Sequence, residues 1–119
     1  MKSVVAIIVK ILLNLGISPN TKGYYYLRDL ILICVTSDEQ ITICSKMLYA
    51  KLAAKYYASE CSIERAVRHA IKSGWYRHSE ECAEMVFVNS LQSSNDIPTN
   101  SVFITAVSEW IRINYLDHS

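Results

Sequence analysis

The stretch Leu52-Ala53-Ala54-Lys55-Tyr56-Tyr57-Ala58-Ser59-Glu60-Cys61-Ser62-Ile63-Glu64-Arg65-Ala66-Val67-Arg68-His69-Ala70-Ile71 carries two helical periodicities with one break between them. Ile63, Ala66, Val67, Ala70 and Ile71, continued by Gly74-Trp75, form one apolar stripe at helical spacing. Opposite lie Cys61, Ser62, Glu64, Arg65, Arg68, His69 and Lys72. Ser59 and Glu60 supply a capping hydroxyl and a first-turn acid, so the predicted helix runs over about 59–76. Ahead of it, Leu52, Ala53 and Tyr56 end another helix, with Ala53 ten residues before Ile63. That is helix-turn-helix spacing: a small residue lets two helices cross closely, and a β-branched one anchors the second on the first. The turn has Tyr57-Ala58 where a glycine is usual.

The rest of the chain parses into helices with short joints. Val4, Ile8, Ile11, Leu12 and Leu15 fall at helical spacing, and Gly16 is a natural stop. Met1-Lys2 before an apolar run resembles a signal peptide, but Lys10 interrupts the run and no small-residue cleavage site follows. The run also falls short of the ~20 residues of a membrane span. A second helix is predicted from about Lys22 to Ser37, capped by Asn20 or Thr21, with Leu27, Leu30, Ile31 and Cys34 spaced for burial. A third runs from about Ile41 to Tyr56 with Met47, Leu48, Leu52 and Ala53, and a fifth from about Ser79 to Ser90. Gln92 to Pro98 reads as a loop, and Thr99 or Asn100 opens a last helix with Phe103, Ile104, Val107, Trp110 and Ile111 on one face. Three Gly and two Pro in 119 residues are too few for a sandwich or barrel, whose turns use those residues every ~8–12 positions. The expectation is an all-α, compact six-helix domain over residues 1–119, with 51% hydrophobic content too high for disorder.

Net charge is only +1, which argues against bulk-basic nucleic-acid binders, but the charge is unevenly placed. Lys46, Lys51, Lys55, Arg65, Arg68, Lys72 and Arg77 against Glu60 and Glu64 give +5 over residues 46–78. Residues 79–119 hold Arg112 against Glu80, Glu81, Glu84, Asp96, Glu109 and Asp117, or −5. A local basic stripe suffices for phosphate binding even on a neutral protein, and a solvated helix face is the competing reading. If the helix enters the major groove, Arg65 and Arg68 have the planar fork that matches guanine O6 and N7, and Glu64 can accept from cytosine N4. Ser59, Ser62 and the free N–H groups of the helix start can hold a phosphate, while Lys51, Lys55, Lys72 and Arg77 make or steer further phosphate contacts.

Other chemistries find less support. Cys34, Cys44, Cys61 and Cys82 are separated by 10, 17 and 21 positions with no close pair, so no metal is expected and reduced, mostly buried thiols are. His78 and Cys82 share a helix face, but the nearest co-ligand, His69, lies on another predicted helix. No phosphate-cradling glycine loop, carboxylate pair or Cys–His constellation points to an enzyme or a cofactor. Tyr24-Tyr25-Tyr26 fits a helix with some rings in the core better than a platform for stacked bases.

Ser62-Ile63-Glu64-Arg65-Ala66-Val67-Arg68-His69-Ala70-Ile71, followed by Trp75, closely resembles the recognition helix of the master sporulation response regulators of endospore-forming bacteria. Similarity extends in order through Lys22 to Asp29, Leu48-Tyr49 with Ala53 and Lys55, and Pro98-Thr99-Asn100-Ser101 with Phe103, from about residue 10 to 116. The resemblance implies a six-helix effector domain that binds a TGTCGAA-type box in double-stranded DNA and regulates transcription. It implies base contacts from Glu64, Arg65 and Arg68, with Ser62 and His69 on the backbone. It also implies head-to-tail self-association on tandem boxes through the last helix. The helix with Glu80, Glu81 and Glu84 would contact the sigma subunit of RNA polymerase.

The chain departs from the family in opening at Met1 without the usual phospho-acceptor receiver, as an excised domain or a stand-alone paralogue would. Glu60-Cys61-Ser62 also replaces a more neutral or basic Thr/Ser-rich start, and Asn95-Asp96 stand where the family tends to carry lysine. A cytoplasmic, nucleoid-associated regulator with no membrane partner is the expected function. The alternative is an interaction paralogue that pairs with a full-length regulator or the polymerase and binds DNA weakly or not at all.

Overall fold

In the computed structural model, which describes residues 3–36, 46–88 and 96–116, Ser3 opens the first helix by accepting the Val5 N–H on its Oγ at 3.2 Å. Helix α1 spans Val4–Asn14 and buries Ile7, Ile8, Ile11 and Leu12. Gly16 then adopts φ +87°, its N–H on the Leu13 carbonyl at 3.1 Å and the Ile17 N–H on the Leu12 carbonyl at 2.9 Å. These two bonds make a Schellman stop, whose left-handed residue is cheapest as glycine. Ile17 is buried as the stop's apolar anchor.

Thr21 is the cap of α2 (Lys22–Thr36), its Oγ1 accepting the Tyr24 N–H at 3.3 Å. Leu27, Leu30, Ile31 and Cys34 are buried as their spacing predicts, and so are Tyr24 and Tyr26, while Tyr25 is exposed. α3 covers Lys46–Tyr56; the predicted start at Ile41 falls outside the described residues. Leu48 and Leu52 are buried, but Met47 stands 60% exposed, off the stripe that faces α2 and α4.

α4 spans Glu60–Gly74 and tightens into a 3-10 turn at Trp75–Arg77, so the regular helix stops before the predicted end at Tyr76. α5 is shorter than predicted, Glu80–Val86, with Ser79 as its cap. Phe87 explains the early stop: its backbone leaves helical geometry, and its buried ring packs against Trp75 and Phe103. α6 spans Asn100–Ile111, capped by Thr99 Oγ1 on the Val102 N–H at 3.1 Å, and runs into a π turn at Arg112–Leu116. Trp110, predicted on the buried face, is only half-buried.

Every regular element among the described residues is helical, six α-helices in all, which makes the fold all-α. α2 is the hub, packing against α1, α3, α4 and α6. Cys34 and Cys82 lie in the core and Cys61 on the surface; Cys44 is outside the described residues. Burial pushes the Cys34 and Cys82 thiols above their ordinary range, as expected for groups that lose water. Among the described residues no helix is long and apolar enough to cross a membrane, and no group of three or more His, Cys, Asp or Glu could hold a metal.

Candidate nucleic-acid interface

The turn between α3 and α4 repeats the device that ends α1, with a different residue in the demanding position. Tyr57 takes φ 53°, and the Ala58 N–H reaches back to the Ala53 carbonyl at 3.0 Å. This is again the long bond of a Schellman motif, but a tyrosine occupies the left-handed site where glycine carries no Cβ penalty. The Tyr57 side chain is 97% exposed, so the ring contributes no packing to offset that conformation. Ser59 then caps α4: its Oγ accepts the Ser62 N–H at 3.1 Å, and the Ser62 hydroxyl donates to the Ser59 carbonyl at 3.0 Å. The Ser59 hydroxyl keeps its proton for an outside acceptor such as a phosphate, whereas Ser62 has committed its own.

α4 is seated mainly on α2, with α3 and α6 at its flanks. Its inner stripe of Ile63, Val67, Ala70, Ile71 and Gly74 is buried as predicted. A close helix crossing lies at Gly23 of α2. A Cβ there would stand 2.3 Å from the Ala66 carbonyl oxygen and 2.6 Å from Ala70 Cβ. Glycine at 23 and alanines at 66 and 70 therefore set how deeply the helix sits.

The outer face of α4 presents Glu64, Arg65, His69 and Lys72, all exposed, with Lys51 exposed on α3. None of these five side chains makes a hydrogen bond or ion pair among the described residues. Arg68, predicted alongside them, is half-buried, and its Nη1 donates to the Pro98 carbonyl at 2.8 Å. Asn100 at the start of α6 donates from Nδ2 to the Glu64 carbonyl at 3.1 Å. The segment before α6 thus lies along one edge of the candidate reading face.

Two cations assigned to phosphates by the sequence are engaged inside the protein. Lys55 Nζ is 2.8 Å from Asp29 Oδ2, which also accepts from the Tyr56 hydroxyl, and Arg28 Nε lies 3.3 Å from Asp29 Oδ1. Burial pushes the Asp29 carboxyl up, but the bonds from Lys55 and Tyr56 and the charges of Lys55 and Arg28 outweigh it and hold it below its ordinary value. The bond to Asp29 raises Lys55 in turn. Arg77 donates to the Gly16 carbonyl at 2.8 Å and to the Tyr76 hydroxyl at 2.7 Å, tying the end of α4 to the end of α1. Both lysine and arginine retain exposed surface, yet their placement is dictated by partners within the fold.

Sequence reasoning missed Asp29, Tyr56 and the Pro98–Asn100 strap. Asp29 had a signal: it is a carboxylate on the otherwise apolar α2 stripe of Tyr26, Leu27, Leu30 and Ile31, and buried carboxylates need partners. The strap had none, because its contacts run from residue 100 to 64 and from 98 to 68. On α5, Glu80, Glu81 and Glu84 are exposed as an acidic surface on a different helix.

A cation-rich outer helix face, an intact helix-turn-helix and an all-α scaffold are what reading a duplex groove requires. Residues 8–111 match the family described as sporulation initiation factor Spo0A C terminal. That family comprises DNA-binding domains of transcription factors and is not a family of enzymes. With the match covering nearly the whole chain, this protein belongs to the Spo0A C-terminal family of sporulation-factor DNA-binding domains.

Proposed function

We propose that residues 1–119 act as one helix-turn-helix unit that places α4 in the major groove of a TGTCGAA-like box. Glu64, Arg65 and Arg68 face base edges, and Lys51, His69 and Lys72 lie on flanking phosphates. Ser59, with its free proton and the adjacent helix start, supports a phosphate more readily than Ser62. Lys55 and Arg77 serve chiefly to hold the reading unit, their charges adding to the local field. The observation that carries this reading is the row of exposed, unengaged side chains on α4, Arg65, His69 and Lys72, on the side opposite its buried stripe. The expected setting is the cytoplasm, at the nucleoid.

Arg65→Ala should weaken binding to a box-bearing duplex by about 1–3 kcal/mol and relax selectivity at one base pair. Fluorescence anisotropy on box and scrambled duplexes at one salt concentration measures this. An unchanged ratio between the two duplexes would remove Arg65 from the base-reading set.

A second contact is favoured by α5. Glu80, Glu81 and Glu84 are exposed there beside Met85, itself 49% exposed, so acidic and apolar surface are both available to a protein partner. The sigma subunit of RNA polymerase is the partner this surface suits, and head-to-tail self-association on tandem boxes accounts for a second domain on the same DNA. If Glu81→Lys leaves transcription from a box-bearing promoter unchanged while DNA binding is intact, the polymerase contact is elsewhere.

A further inference from the structure

The two arginines offered to base edges are held in opposite ways. Arg65 is exposed and unengaged, whereas Arg68 is half-buried with Nη1 on the Pro98 carbonyl. An arginine has five N–H donors, so one bond to Pro98 leaves the other donors for a base. A guanidinium already oriented loses less freedom when it binds, which favours the fork that has been set beforehand.

The Pro98 carbonyl is itself held. Pro98 is buried, and Thr99 fixes the segment to α6 by capping the Val102 N–H. α6 is anchored in the core by Phe103, Ile104 and Val107. Asn100 closes the connection by donating to the Glu64 carbonyl, the oxygen that in an α-helix also accepts the Arg68 N–H. One turn of α4 is therefore tied twice to the same three-residue segment, at its backbone and at its arginine head.

The other end of the Asn100 amide argues that this tie is not there for stability. Its Oδ1 is buried with no partner among the described residues, so the residue gives up one hydrogen bond to water while making one to Glu64. Removing the amide relieves the first as it loses the second.

We propose that Asn100 is a positioning residue for base reading: it ties the Pro98–Asn100 segment to the Glu64 carbonyl and so keeps the Pro98 carbonyl against the Arg68 guanidinium. This rests on the reading of Arg68 as a base contact. Asn100 touches the recognition helix and acts on DNA through Arg68.

The test is a double-mutant cycle on the full chain, read by anisotropy with a duplex carrying one TGTCGAA box and a scrambled duplex of equal length. Both are measured at about 0.1 M salt, where steering by distant charges is screened. Asn100→Ala is expected to lower the box-to-scrambled affinity ratio by about five- to tenfold, part of what a well-set bidentate contact supplies, with scrambled binding unchanged. In an Arg68→Ala background the same change should do nothing further. Asn100→Gln, which keeps an amide donor, should recover part of the ratio, and the thermal midpoint of each variant should stay near that of the parent. Equal weakening on both duplexes, or a full effect in the Arg68→Ala background, overturns the proposal. If Arg68→Ala lowers the ratio and Asn100→Ala does not, the positioning role alone fails. If Arg68→Ala leaves the ratio untouched, base reading by Arg68 fails and takes the proposal with it.

Discussion

Tyr57 holds a backbone conformation that L-residues with a Cβ adopt at a cost, and it does so with its ring in solvent. Glycine at this position removes the steric penalty and loses no packing, although it adds freedom to the unfolded chain. Tyr57→Gly should therefore raise stability by up to about 1 kcal/mol, seen as a higher urea midpoint with an unchanged slope. Asp29 makes the opposite case, a costly burial made favourable by its partners. Its folded-state carboxyl lies below its ordinary value, so its contribution is present above the unfolded value and is lost as pH falls through the folded one. Asp29→Asn should cost about 1.5–3 kcal/mol at neutral pH, the range for hydrogen bonds to a charged group. The difference from the parent should close as both are unfolded in urea at steps below about pH 4, the ordinary carboxylate range. A gap that stays constant down to strong acid would mean the Asp29 charge contributes nothing through Lys55 and Tyr56.

Helix α4 is positioned by what it leans on. The Gly23 crossing lets α2 and α4 approach until a Cβ would overlap the Ala66 carbonyl, a backbone atom that cannot swing aside. Gly23→Ala should push the helices apart and cost about 1–3 kcal/mol, the usual penalty of overpacking. Because the proposed reading face lies on α4, affinity for a box duplex should fall as well, even at temperatures where the variant is fully folded. Calorimetry and anisotropy on one sample separate the two effects. Gly23 and the apolar stripe were visible in the sequence as a composition and a period. That they meet α4, and that α2 rather than α3 is its main seat, depended on contacts some forty residues apart. Helix ends were less legible for a related reason: α5 stops at Val86 because Phe87 is drawn between Trp75 and Phe103, rings supplied by two other elements.

Over the whole molecule, a net charge of +1 conceals a basic middle and an acidic last third. The fold narrows the basic part by engaging some of its cations internally. Lys51 and Lys72 are exposed and unengaged, so Lys51→Ala and Lys72→Ala should each weaken specific and random duplexes alike. Each should also reduce the slope of log affinity against log salt by about 1, as one fewer counterion is released. Lys55→Ala should change that slope less and lower stability more, since its ammonium is already paired with Asp29. The helical class, the Ser59 cap, the apolar stripe of α4 and the outward set of Glu64, Arg65, His69 and Lys72 all followed from local spacing and side-chain chemistry, because helix periodicity acts over three or four residues. Which cations are free, which arginine is held by Pro98, and where Asp29 finds its partners were settled by folding, because those interactions join residues distant in the chain and their strength depends on burial and geometry that no local pattern encodes.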